Sequence, residues 1–167
     1  MVISIGKLRE LVPSTETMSD AELREKLAAL ETLIRKYTNN NFQKQNFRAV
    51  GNIRNGELIF DTRLFKHGDT LEISKSMYND GVYVYGEENE FYDEEKVLVT
   101  KVVYPPDVVA GVVNMFKWDI ENRAKVGIKS ESLSRYSVTY YDIESNSIMG
   151  YPSGLVAFLK PYIRAKF

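Results

Sequence analysis

The 167-residue chain has no cysteine, which excludes disulfides, thiolate metal sites and a cysteine nucleophile. Stability must then come from packing, and the composition fits folding in an intracellular compartment. A charge excess of one sign is missing as well: 22 Lys and Arg face 23 Asp and Glu, for a formal net charge of -1. Long-range electrostatics therefore favours neither nucleic acid nor an acidic surface. No run of 18 apolar residues occurs and the opening "MVISIGKLRELVPS" has no secretory hydrophobic region, so neither a membrane span nor export by that route is expected. The glycines form neither a Gly-x-Gly-x-x-Gly loop nor a phosphate loop. Ser130, Ser132, Ser134 and Ser137 stand in neither a Gly-x-Ser-x-Gly elbow nor a Ser-x-x-Lys signature. His67 is the single histidine, too few for a His-rich metal site, and it reads as a loop or strand-edge residue. No catalytic residue, metal site or cofactor is expected.

What is present is a globular composition, 44% apolar and 27% charged, long enough for one domain with an inserted unit. A short helix is predicted over 5–11, with Leu8 and Leu11 on one face. Ser19 and Glu22 form a capping box. Leu23, Leu27, Leu30 and Ile34 then continue at helical spacing as one apolar stripe, and "TNNNFQ" ends the helix. A third helix starts after Pro105-Pro106, with Val109, Val112, Val113, Phe116 and Ile120 as its apolar face and Gly127 as its stop. It is expected to pack on the helix at 19–36. Pro152 opens a last short helix that Pro161 limits.

Between the helices the period changes to two. "FRAVGNIRNGELIFD" alternates about Asn55-Gly56, and "DTLEISKSMYNDGVYVYG" does so about Asp80-Gly81, both read as tight hairpins. "KVLVTKVVY" is a third extended segment. The expected architecture is mainly α: a helical bundle formed by 1–45 and 105–167, with a small antiparallel β unit inserted at 46–104.

Three stretches invite a functional reading. The acidic "GEENEFYDEEK" at 86–96 lacks the spacing of a calcium loop and reads as a solvated hairpin or loop. Tyr83, Tyr85, Tyr136, Tyr140 and Tyr141 could support a sheet core or a protein interface; base stacking is the alternative, without a basic track to accompany it. The C-terminal "LVAFLKPYIRAKF" carries apolar anchors followed by Tyr162, Arg164, Lys166 and Phe167, a segment able to fold back on its own domain or to lie across another subunit.

The order of these segments, above all "GIKSESLSRYSVTYYD" followed by "GYPSGLVAFLKPYIRAKF", resembles the head-tail connector proteins of tailed phages, the adaptor or head-completion family. The resemblance covers nearly the whole chain and is most specific in its C-terminal third. It implies a structural subunit without a catalytic cycle, located in the virion at the head-tail junction and in the host cytoplasm during assembly. It further implies a ring beneath the portal, usually of twelve subunits. The partners would be the portal protein, neighbouring adaptor subunits and a downstream connector or tail-completion protein, with packaged DNA close by. Tyr162, Arg164, Lys166 and Phe167 are then the expected partner-contact residues. The stretch at 46–104 departs from the compact helical members of that family. A nucleic-acid-binding accessory protein, stacking bases on the aromatics of the β unit, is the alternative.

Overall fold

Ser19 sets the start of the clearest helix: its Oγ accepts from the Glu22 N–H at 3.2 Å. Helix α2 then runs Asp20–Thr38 and stops where Asn39 takes the left-handed conformation, φ 48°, and donates its N–H to the carbonyls of Arg35 and Lys36. Leu23, Leu27, Leu30 and Ile34 are all buried, as the apolar stripe requires. A computed structural model describes residues 1–87, 89–122, 130–133, 136–139 and 147–165. Before α2 lies helix α1, Ile5–Leu11. Here Leu8 is buried but Leu11 is exposed, and Val12 takes the buried place instead.

The chain divides into two compact units, Met1–Ser4 with Asn40–Tyr104, and Ile5–Asn39 with Pro105–Phe167. The first is a five-stranded antiparallel sheet that curls into a half-barrel. Its strands are β1 (Gln43–Arg54), β2 (Glu57–Phe60), β3 (Thr70–Ser74), β4 (Gly81–Val84) and β5 (Glu95–Val102), in the spatial order β2-β1-β5-β3-β4. The fold is thus mixed α/β, which corrects the expected mainly helical bundle with a small β insert. The reason is long-range pairing. β5, read from sequence as a third isolated strand, lies at the centre of the sheet and pairs with both β1 and β3.

Alternation then builds an independent core, because residues two apart share a face. Ile53, Val97, Val99, Leu71, Ile73 and Phe65 form one buried cluster, with Leu58, Phe60, Tyr83, Tyr85 and Phe91 packed against it. Full burial of each large aliphatic chain contributes about 1.5 to 3 kcal/mol. Asn55 and Gly56, at φ 52° and 77°, make the expected two-residue turn between β1 and β2. The second expected hairpin differs: Ile73 pairs with Gly81, so residues 75–80 form a longer loop and Gly81 opens β4.

In the second unit α3 spans Pro106–Asn122. Its buried face is Val108, Gly111, Val112, Val113, Met115 and Phe116, whereas Val109 and Ile120 are only half-buried. The apolar stripe is therefore rotated from the one expected. Short helix α4, Ser153–Val156, continues into a 3-10 segment, Ala157–Tyr162, that contains Pro161. That segment approaches both α2 and α3, and α3 also packs on α4. The serine-rich stretch contains two paired strands, β6 (Ser130–Leu133) and β7 (Tyr136–Thr139), with Ser130 opposite Thr139. A two-residue pair, β8 (Ser147–Ile148) and β9 (Tyr151–Pro152), precedes α4. Gly127, Tyr140 and Tyr141 lie outside the described residues.

Candidate functional site

Pro161 lacks an N–H and cannot extend an α-helix, so the chain leaves the 3-10 turn at Tyr162 and becomes extended at Ile163, φ -67° and ψ 126°. Two devices hold the segment that follows. The Tyr162 hydroxyl donates to the Asp107 carboxylate at 2.8 Å, a bond that raises the tyrosine's pKa above its ordinary value. The Arg164 N–H donates to the Thr38 carbonyl at 2.8 Å, while the Asn39 side-chain amide donates to the Ala165 carbonyl at 3.0 Å. The asparagine that ends α2 thereby also clamps the C-terminal backbone. Ile163 and Arg164 direct exposed side chains outward from that clamp. Of the four residues expected to meet a partner, Tyr162 and Arg164 are thus brought together on one short anchored stretch. Lys166 and Phe167 lie outside the described residues.

The aromatics of the β unit are engaged with one another. Phe60 meets Phe65 edge-on at 5.0 Å and Tyr85 at 5.4 Å, and Tyr83 lies 5.1 Å from Phe91. Tilted and edge contacts are the favoured geometries between packed rings, and Phe60, Tyr83, Tyr85 and Phe91 are half-buried against the sheet core. His67 sits in the turn before β3 with its ring 4.9 Å from that of Tyr85. It also lies close over Gly86, whose φ of 91° and missing Cβ make room for the imidazole. That neighbourhood suits the loop role expected of it. A pocket of about 400 Å³ opens between Leu58 and Phe60 of β2 and the turn that follows β4 at Tyr85 and Gly86.

One surface was missed in the sequence. The loop joining β3 to β4 exposes Met77 at 79% and Tyr78 at 63%, and the loop before β5 exposes Tyr92 at 63%. A polar network fixes these two loops to each other. The Asn79 side chain, itself buried, donates to the Tyr92 carbonyl at 2.7 Å and accepts from the Tyr92 N–H at 2.8 Å. The Glu95 carboxylate accepts from Ser76 Oγ, from the Met77 N–H at 2.9 Å and from Asn79 Nδ2 at 2.7 Å. These donors, the serine hydroxyl first, hold Glu95 below its ordinary pKa. The clue in the sequence is the break in alternation after Ile73, where "SKSMYND" combines turn formers with two large side chains.

Among the described residues no group of three or more His, Asp or Glu side chains is placed to hold a metal ion. No helix there is long and apolar enough to cross a membrane. No family model matches the chain, and no curated protein matches it in sequence.

Proposed function

We propose that this chain is a structural head-tail connector subunit of a tailed phage, an adaptor that assembles as a ring beneath the portal and joins head to tail. The C-terminal segment carries the reading. Its backbone is fixed by Asn39 and Thr38 and its Ile163 and Arg164 side chains are exposed, so it presents side chains to another molecule without having to order itself first. The resemblance of "KSESLSRYSVTYYD" and "GYPSGLVAFLKPYIRAKF" to the adaptor family supplies the biological setting. Portal, neighbouring subunits and a downstream connector are the corresponding partners, and the head-tail junction of the virion is the place. Base stacking is the weaker reading, because Phe60, Tyr83, Tyr85 and Phe91 pack against the sheet core and one another and no basic track accompanies them.

Repeated subunits joined by modest contacts suit this role, since each contact made raises the effective concentration for the next. Electron microscopy of the protein mixed with isolated portal tests the proposal. An added ring matching the portal's symmetry is the expected image; portal particles without added density at saturating protein would overturn it.

A further inference from the structure

We infer that the loop tip carrying Met77, Tyr78 and Tyr92 is the docking surface for the C-terminal segment of a second copy of this chain. The inference deepens the ring reading and rests on it for closure; the contact itself is argued from the chain alone.

Large exposed Met and Tyr side chains are the kinds that anchor protein interfaces. Here they stand on a backbone already fixed. Asn79 pairs with both backbone groups of Tyr92, Glu95 holds Ser76, Met77 and Asn79, and Ser76 Oγ accepts from the Tyr78 and Asn79 N–H groups at 3.1 and 2.6 Å. The Tyr83 hydroxyl completes the frame by donating to the Asn79 carbonyl at 2.9 Å. Little conformational freedom is then lost when a partner covers the tip.

Charge identifies the occupant. Between Lys75 and Lys96 the sequence carries seven Asp or Glu and no Lys, Arg or His. Of these, Asp80, Asp93 and Glu94 are exposed in the two loops of the tip and outnumber Lys75, which opens the first loop, so the tip attracts a cationic partner. The same chain supplies one: from Ser145 to its last residue it contains no Asp or Glu, while Lys160, Arg164 and Lys166 are cationic and Ile163 is a 48% exposed apolar side chain beside Arg164. An exposed apolar and cationic strand meeting an aromatic and acidic tip satisfies both the hydrophobic and the electrostatic requirement of an interface. Because the two patches are different surfaces, the contact between copies is heterologous, the kind that closes into rings when the rotation permits.

The absence of native cysteine makes the test direct. Tyr92→Cys is made in one preparation and Ile163→Cys in another, so that a mixed disulfide between them joins separate molecules. Tyr92 contributes only backbone atoms to the frame and Ile163 contributes no atom to the clamp, so both persist. The two are mixed under mild oxidation at about 100 µM, a concentration suited to a weak contact. A reference mixture pairs Ile163→Cys with Arg63→Cys, an exposed position in the turn between β2 and β3. Several-fold more crosslinked dimer from the Tyr92 mixture than from the reference is expected, falling at high salt as charge attraction is screened. A Met77→Ser, Tyr78→Ser background is expected to lower the yield several-fold with an unchanged melting temperature. Equal yields from the two mixtures would overturn the inference, and so would a crosslink that forms within one molecule when both cysteines share a chain. If the wild-type protein adds a ring to the portal while the Tyr92 pair does not crosslink, only this contact falls. If the pair crosslinks and no ring is added, the connector reading falls and the contact stands.

Discussion

A missing Cβ decides how closely α3 approaches the turn that follows α4. A methyl group added at Gly111 would lie 2.3 Å from ring carbons of Phe158, well inside contact distance. Gly111→Ala is therefore expected to destabilise the protein by about 1 to 3 kcal/mol, the range for overpacking a well-filled site. Urea unfolding of both forms measures it, and equal stability would show that Phe158 swings aside at little cost. Glu95 offers a second test at this scale. Its pKa is lowered in the folded protein, so the stabilisation it contributes is present above the unfolded value, about 4.3, and is lost as pH falls through the lower folded value. The Met77 amide resonance, bonded to that carboxylate, should titrate with a midpoint below the ordinary glutamate value, and Glu95→Gln should abolish the step. A midpoint at or above the ordinary glutamate value would remove the three donors as the cause. Neither residue was legible beforehand. A glycine inside a helical pattern shows only that a side chain is missing, and Glu95 looked like one more charge in an acidic run.

Among the elements, most of the features legible in the sequence follow local rules, the Asp80-Gly81 turn being an exception. Ser19 capping, the α2 stripe, the left-handed Asn39 and the Asn55-Gly56 turn each depend on residues within four or five positions of one another. The sheet is underestimated from sequence because β5 finds its partners about 25 to 60 residues away, and no local period records such a pairing. Likewise the face of α3 is set by what packs on it, so Val108 and Met115 are buried while Ile120 is only partly covered. One consequence of the sheet's topology was hidden in the same way. Gln43 lies opposite Val102, and the Val103 N–H donates to the Phe42 carbonyl at 3.0 Å, so the strands enter and leave the sheet side by side. Replacing residues 43–102 with a short Gly/Ser linker should then leave the chain ends of the helical unit undisturbed. Far-UV circular dichroism is expected to retain the helical signal of α1, α2 and α3. Collapse of that signal would mean that the sheet and the helices fold as a single cooperative body.

For the whole molecule, truncating the C-terminal segment tests folding and the proposed assembly separately. Truncation after Tyr162 keeps Val156 and Leu159, both buried, and keeps the bond from Tyr162 to Asp107. It removes the Arg164 N–H bond to Thr38 and the acceptors of the Asn39 amide. Net contributions of about 0.5 to 1.5 kcal/mol per hydrogen bond set the scale, and the exposure of the Asn39 contacts places the total toward the lower end. A small fall in melting temperature is therefore expected, with the helices intact. On the proposed ring reading, loss of assembly should be far larger, because the same truncation deletes the exposed Ile163 and Arg164 side chains and with them the proposed contact between subunits. In a ring a modest weakening of each contact multiplies around the circle, so ring formation on isolated portal should disappear while the melting temperature shifts by only a few degrees. Arg164→Ala in the full chain is predicted to reproduce part of the defect and to make the remaining assembly less sensitive to salt. Thermal unfolding measured beside portal binding distinguishes the outcomes: a stable truncated protein that still forms rings would assign the segment to local packing by Asn39 and Thr38 alone, and an unfolded one would assign it to the core.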